Sequence, residues 1–267
     1  MKKKASSDIK TPKVSCLMVT ANRKNLLRRS VHCFLNQDYL NKELVVVDDG
    51  DQDLSNVLCE VPNSQLRYFK LDPSQQNTLG MLRNFAIQKA TGRFLTQWDD
   101  DDWYHPQRIK MQVQILQKGF DACFLRGTIM HLRTHKFINH PYIGILPNGF
   151  AGSIMHRRDN SINYPHMPRG EDTVYLQKWK EKRYKDLSRE FSYLYVYSFH
   201  GTNTWEKNHF IRRIRNSPGR FMQYIWYNKI KGALLEHPVF SLTKKERQSF
   251  QMFMKDSNKF DLMHPLR

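Results

Sequence analysis

The sequence predicts an α/β fold, a mostly parallel central sheet flanked by helices. Three observations carry that prediction. Short β-branched and apolar runs alternate with stretches of helical periodicity through the first half of the chain. One run, Glu43-Leu44-Val45-Val46-Val47, is almost continuously apolar, as expected of a strand covered on both faces. Two acidic clusters, Asp48-Asp49 and Asp99 to Asp102, each follow a strand directly, at the end where parallel sheets bind ligands.

The elements follow in order. Val14 to Val19 reads as a first strand, ending in the loop Thr20-Ala21-Asn22-Arg23. Asn25 to Gln37 repeats apolar residues at three- and four-residue steps, with Asn25 placed to cap a helix. Leu66 to Leu71 is a third strand after Glu43–Val47, and Met81 to Lys89 a helix closed by Thr91-Gly92. Arg93 to Trp98 is a fourth strand that runs into the acidic cluster, and Pro106 to Lys118 a helix with proline in its first turn. The second half alternates less regularly. Ala122–Leu125, Ala151–Met155 and Tyr193–Tyr197 read as strands, and Gly170 opens a helix through Trp179. Phe221, Ile225, Trp226, Ile230, Leu234 and Leu235 form an amphipathic stripe in a C-terminal helical extension over residues 207–267.

Composition bounds the function. With 267 residues and 40% hydrophobic content, the chain is long enough for one large domain, or one domain with an appendage. No stretch reaches the roughly 20 apolar residues of a membrane span. Met1 to Ser7 is charged without an apolar region behind it, so it reads as part of a disordered basic tail over residues 1–11 and not as a secretory signal. Cys16, Cys33, Cys59 and Cys123 contain no C-x-x-C pair and read as free thiols of a reducing compartment. The net charge of +18 fits a phosphorylated substrate, an anionic membrane surface, nucleic acid or simply a basic solvated surface. The last 62 residues, from Glu206, hold 13 Lys and Arg against 5 Asp and Glu.

The run Trp98-Asp99-Asp100-Asp101-Asp102-Trp103 carries the most chemistry. Adjacent carboxylates repel one another, and ionised together they suit a hard divalent cation such as Mg²⁺ or Mn²⁺ shared with substrate phosphates. A solvated turn and a structural Ca²⁺ site are the other readings of these residue types. A nucleotidyltransferase on a related sheet would carry a glycine-rich phosphate loop, which Thr20-Ala21-Asn22-Arg23 lacks. A nucleic-acid-binding protein would explain the charge but not the acidic run, so no nucleic acid partner is expected.

Six pieces in order resemble the family 2 glycosyltransferases of GT-A fold. They are Val14–Arg23, Glu43–Gly50, Gly80–Asn84 with Gly92, Trp98–Pro106, Gly170-Glu171-Asp172 and His200-Gly201-Thr202-Asn203-Thr204-Trp205. The resemblance implies a catalytic domain over 12–206, with a nucleotide-binding half to about 106 and an acceptor-side half after it. It implies a metal-dependent, inverting enzyme that takes a sugar from a nucleoside-diphosphate donor to a hydroxyl of a glycan, a lipid-linked saccharide or a polysaccharide. The family's DXD motif falls on Asp99-Asp100-Asp101, which implies Asp99 and Asp100 at the nucleotide and Asp101, Asp99 and His200 at a Mn²⁺ or Mg²⁺ ion. Asp49, with Asp48 beside it, corresponds to the base contact; Asp51 stands where the family often has serine. Thr20 and Ala21 match the base-contacting loop, and Arg83 the Arg-Asn step near ribose or phosphates. Asp172 corresponds to the general base and Glu171 to its acceptor-side support. Asn203 and Trp205 are expected to shape their loop, Asp102 to cap or support the acidic segment, and Arg157-Arg158 to meet phosphates or form a basic turn. A cytoplasmic location follows, with peripheral contact at the inner face of a membrane through the basic extension.

Overall fold

The computed structural model describes residues 11–72, 76–167 and 169–266. The expected tail lies outside them except for Thr11, whose carbonyl accepts from Asn41 Nδ2. In chain order the first half contains β1 (Val14–Thr20), α1 (Lys24–Leu35), β2 (Lys42–Asp48), a single turn α2 (Ser55–Leu58), β3 (Leu66–Lys70), α3 (Leu79–Lys89), β4 (Phe94–Gln97), β5 (Trp103–Tyr104) and α4 (Arg108–Gln117). The second half contains β6 (Ala122–Leu125), β7 (Gly127–Leu132), β8 (Tyr142–Ile145), β9 (Met155–Arg157), α5 (Glu171–Lys180), β10 (Tyr184–Leu187), β11 (Tyr195–Phe199), α6 (Lys207–Arg212), α7 (Pro218–Ile225) and α8 (Lys244–Lys259).

The main sheet has seven strands in the order β10-β6-β9-β4-β1-β2-β3. Its centre is parallel, β4 and β2 flanking β1 and β3 following β2, and β9 runs antiparallel between β4 and β6. Because side chains alternate along a strand, Leu44 and Val46 enter one apolar layer and Val45 and Val47 the opposite one. The near-continuous Val/Leu run of β2 is therefore the mark of a sheet buried on both faces. The first layer packs α1, α4 and α8 on the sheet; the second packs α3 and α5.

A second, four-stranded sheet in the order β5-β11-β7-β8 went unread in the sequence. Ala151–Met155 is also not one strand: Ala151–Ser153 is a 3-10 turn and the chain becomes extended only at Met155. Tyr193 and Leu194 likewise close a 3-10 turn, and β11 starts at Tyr195. Asn25 does not cap α1, which begins at Lys24 without any side-chain cap. Thr78 caps α3 by accepting from Met81 N.

The C-terminal extension divides in two. α8 packs into the principal core through Phe250 and Phe253, and its start carries a capping box of Thr243 and Glu246. Phe210, Ile214, Leu234 and Val239 join Met130, Leu132 and Tyr142 in a third apolar cluster. The expected stripe is largely turned outward: of its members only Leu234 is buried, and no residue of α7 is.

Candidate active site

The parallel strands β1, β2 and β4 end on one edge; the loops after β1 and β4 line the site, and the loop after β2 braces the first of them. Gly50 lets two of these loops meet, since a Cβ there would sit 2.5 Å from Asn22 N. Asn22 Oδ1 in turn accepts from the backbone N–H groups of Asp51 and Gln52. Asp49 N donates to the Thr20 carbonyl, so the loops after β1 and β2 are tied through their backbones.

The acidic run is clamped at both ends by its tryptophans. Trp98 is buried against Tyr104, with ring centroids 4.0 Å apart, and its Nε1 donates to Ser30 O. Trp103 Nε1 donates to Asp256 Oδ2 on α8 at 2.8 Å. Arg29, fully buried on α1, donates to the Asp101 carbonyl at 2.5 Å and to Ser257 Oγ on α8 at 3.0 Å. Arg108 lies beneath β4 and donates to Thr96 Oγ1, Gln97 O and Gly152 O. The loop is therefore held from below by a helix near the far end of the sequence.

The four carboxylates do not titrate alike. Burial pushes Asp99 up, although Arg83 Nη2 lies 3.1 Å from Oδ1 and Gln97 Nε2 donates to Oδ2 at 2.7 Å. Burial and the neighbouring Asp101 charge raise Asp100 to about 7, against Arg23 and a hydrogen bond from Thr20 Oγ1. Asp102 is raised well above the carboxylate range by burial and by Asp101; Tyr195 OH donates to its Oδ2, and its buried Oδ1 has no partner. Asp101 alone is held low. Burial opposes its ionisation, but His200 and Arg23 outweigh it, each nitrogen 3.1 Å from Oδ2. His200 and Arg23 thus set Asp101 apart from its three neighbours.

Asp99 to Asp102 line a cavity of about 400 Å³ together with Thr20, Ala21, Arg23, Arg83, Glu171 and Asp172. Arg83 links its two ends. The side chain is only 12% exposed, donates to Asp99 at 3.1 Å and lies with Nε 3.3 Å from Glu171 Oε1. Burial works against the charge of Arg83, and Asp99, Tyr164 and Glu171 more than restore it. Burial raises Glu171 in spite of Arg83. Gly170, at φ +78, turns the chain into α5 and sets Glu171 inward and Asp172 on the cavity wall at the positive end of the helix. Asp172 Oδ1 accepts from Thr173 N at 2.6 Å. Trp205, His209 and Arg213 close the far wall.

Other expected positions fall elsewhere. Neither Asp48 nor Asp49 lines the cavity. Asp48 is consumed internally, accepting from Gly50 N, Tyr68 OH and Lys70 Nζ. Asp49 accepts from Asn77 Nδ2 at 3.0 Å. Arg157 and Arg158 are structural: they donate to Leu116 and Phe120 carbonyls and to Ile87, Ala90 and Gly92 carbonyls, at the ends of α4 and α3. Asn203 does shape its loop, bonding His200 N and Ser198 O. Arg23, Arg29 and Arg108 were missed as site residues. Arg23 ends the first-strand loop and was legible by position; the other two are buried helix arginines whose partners are remote in sequence.

The donors present suit a hard cation in part. Asp101 and His200 converge, and one or two protein ligands completed by phosphate oxygens and water are what Mg²⁺-type sites use. Among the described residues no group of three or more His, Cys, Asp or Glu is placed to hold a metal by itself. Asp99 is engaged by Arg83 and Gln97 and stands apart from the Asp101–His200 pair.

The site thus sits where a mostly parallel sheet ends in an acidic strand tip beside a helix opened by two carboxylates. The chain belongs to the glycosyl transferase family 2, whose model matches residues 15–256, past the last of the motifs and into α8. In sequence it is 32% identical over 117 residues to WcaA of Escherichia coli (strain K12), a glycosyl transferase assigned provisionally to colanic acid biosynthesis, covering 43% of this chain and 41% of WcaA. The chain spans less than half the length of the relatives it matches in sequence. Staphylococcus aureus TarS 1-349 in complex with UDP-GlcNAc superposes with TM-score 0.58 at 16% identity, covering 95% of this chain and 82% of that one. The mannosyltransferase PcManGT of Pyrobaculum calidifontis, in complex with GDP-Man and Mn²⁺, gives TM-score 0.54 at 14% identity, covering 95% and 83%. These likenesses establish the GT-A fold. Among the described residues no helix is long and apolar enough to cross a membrane.

Proposed function

We propose that this chain is a metal-dependent, inverting glycosyltransferase that passes a sugar from a nucleoside-diphosphate donor to the hydroxyl of a carbohydrate or lipid-linked acceptor. The observation that carries the reading is that one cavity is lined at one end by Asp99 to Asp102 and at the other by Glu171 and Asp172. The complexes of TarS with UDP-GlcNAc and of PcManGT with GDP-Man and Mn²⁺ support a nucleotide-sugar donor and a divalent ion. WcaA supports a polysaccharide-building context.

In this reading Asp101 and His200 hold the cation, which when bound supplies positive charge to the departing diphosphate. Asp99, positioned by Gln97 and Arg83, contacts the nucleotide side of the donor. Thr20 holds Asp100 in place, and the Ala21 backbone lines the donor end. Outside the cavity, at the end of the adjoining strand, Asp49 is the base contact and Asp48 fixes its turn. On the acceptor side Asp172 takes the proton of the attacking hydroxyl. Glu171 acts through Arg83, fixing the distance between the two carboxylate groups. Holding both reactants in one cavity supplies much of the rate.

The test is a hydrolysis and transfer screen of UDP- and GDP-sugars with Mn²⁺ or Mg²⁺. Asp172→Asn is expected to lower turnover by about 10²–10⁴-fold while leaving donor affinity within a few-fold. Unchanged turnover in that variant removes Asp172 from the mechanism.

A further inference from the structure

The segment between Lys207 and Leu235 contains seven Lys and Arg and no Asp or Glu. Its two ends are anchored, by Phe210 and Ile214 before and Leu234 after, in the third apolar cluster. Between those anchors α7 and the π-turn Trp226–Ile230 form one continuous helical excursion. Tyr224 packs inward against the cluster. The opposite side presents Met222, Trp226 and Ile230, spaced four apart, at 66%, 54% and 65% exposure, with Phe221 at 44% beside them. A helix that is apolar on its packed side and also on its free side has an unmet burial requirement.

We infer that this face docks the protein on an anionic lipid bilayer surface. The charge decides among occupants. Arg212, Arg215 and Lys229 are exposed in the same segment, and none of them has a carboxylate partner in the described residues. Two copies of such a face would bring like charges together, which disfavours a symmetric dimer through it. Methionine and isoleucine offer no stacking surface for bases, whereas aliphatic and tryptophan side chains rimmed by Lys and Arg match the headgroup–acyl boundary. The docking element is α7 with the π-turn and not the whole basic extension, because the apolar face of α8 is already spent on the core. Arg213, on the cavity wall, is a few residues from the start of α7, so the docking element follows directly on chain that lines the cavity.

The test is co-sedimentation of the full chain with phosphatidylcholine vesicles, with and without phosphatidylglycerol. The expected result is partition to the phosphatidylglycerol vesicles that weakens as salt is raised. The combined Met222→Ser, Trp226→Ser and Ile230→Ser variant is expected to lose about tenfold or more in partition. Because these side chains are solvent-facing, its thermal unfolding is expected to match the parent chain, which separates lost docking from lost folding. Arg215→Gln with Lys229→Gln is expected to flatten the salt dependence. Equal partition of parent and triple variant overturns the inference. So does a parent chain that stays in the supernatant with both vesicles, or a vesicle-free dimer that the triple variant dissolves. None of these readouts uses sugar transfer, so they stand or fall apart from the donor-site reading.

Discussion

Arg83 shows how the site is wired at the level of single residues. Its guanidinium is buried between Asp99 and Glu171, with Tyr164 under its plane, so it neutralises one carboxylate from each end of the cavity. Removing it leaves two buried acids facing each other. Arg83→Met is expected to cost about 3–5 kcal/mol, the penalty of uncompensated buried charge, read as a fall in melting temperature. A loss under about 1 kcal/mol would mean that the pair is solvated in solution. The residue types of the site, four aspartates and a Glu-Asp step, stand in the sequence as a pattern. What the pattern does not contain is which carboxylate meets the cationic side chains. Asp101 is set apart by Arg23 and His200, which arrive from loops far away in the chain, and that selection exists only after folding.

At the level of elements, Glu43 links β1, β2 and the turn before β4. It is buried and accepts from Ser15 Oγ, Thr91 N and Thr91 Oγ1, with Lys13 paired to it. Burial alone would raise its pKa, but Lys13, Ser15 and Thr91 bring it from 4.5 down to about 2. A carboxylate depressed in the folded state stabilises above its unfolded pKa and loses that contribution as pH falls through its folded pKa. Glu43→Gln is thus expected to cost roughly 2 kcal/mol at neutral pH. Denaturant titrations of parent and variant should converge as pH drops from about 4.5 toward 2. A difference constant with pH would assign the effect to packing. The strand carrying Glu43 was legible because Val and Leu fill both of its faces. β8 and β10, four residues each, were not, because neither alternation nor length marks them, and β7 was not, because Gly127 opens it and His131 interrupts its apolar run. The start of α8 was legible in principle: Thr243 and Glu246 are spaced as a capping box ahead of a helical run. The outward turn of the α7 stripe was not, since periodicity reports an apolar face without saying what covers it.

For the molecule as a whole, two apolar layers sandwich the main sheet and enclose three of the four thiols. Burial pushes Cys16, Cys33 and Cys123 up to about 12, whereas Cys59 follows α2 at the surface. A maleimide should therefore label one equivalent, at Cys59, in the folded chain and four after denaturation. Rapid labelling of all four without denaturant would contradict a closed core. The same layers brace the acidic edge: α8 closes the core with Phe253 and holds the Asp99–Asp102 loop through Asp256 and Ser257. The acidic edge thus depends on chain that lies beyond the recognisable motifs. The most direct test of the donor site is calorimetric titration of UDP and GDP into the parent chain and into Asp101→Asn, each with Mn²⁺ and with a chelator. Binding of one nucleotide that requires Mn²⁺ and disappears in Asp101→Asn is the predicted result. Binding that neither the chelator nor the substitution alters, or no binding of either nucleotide, would contradict it.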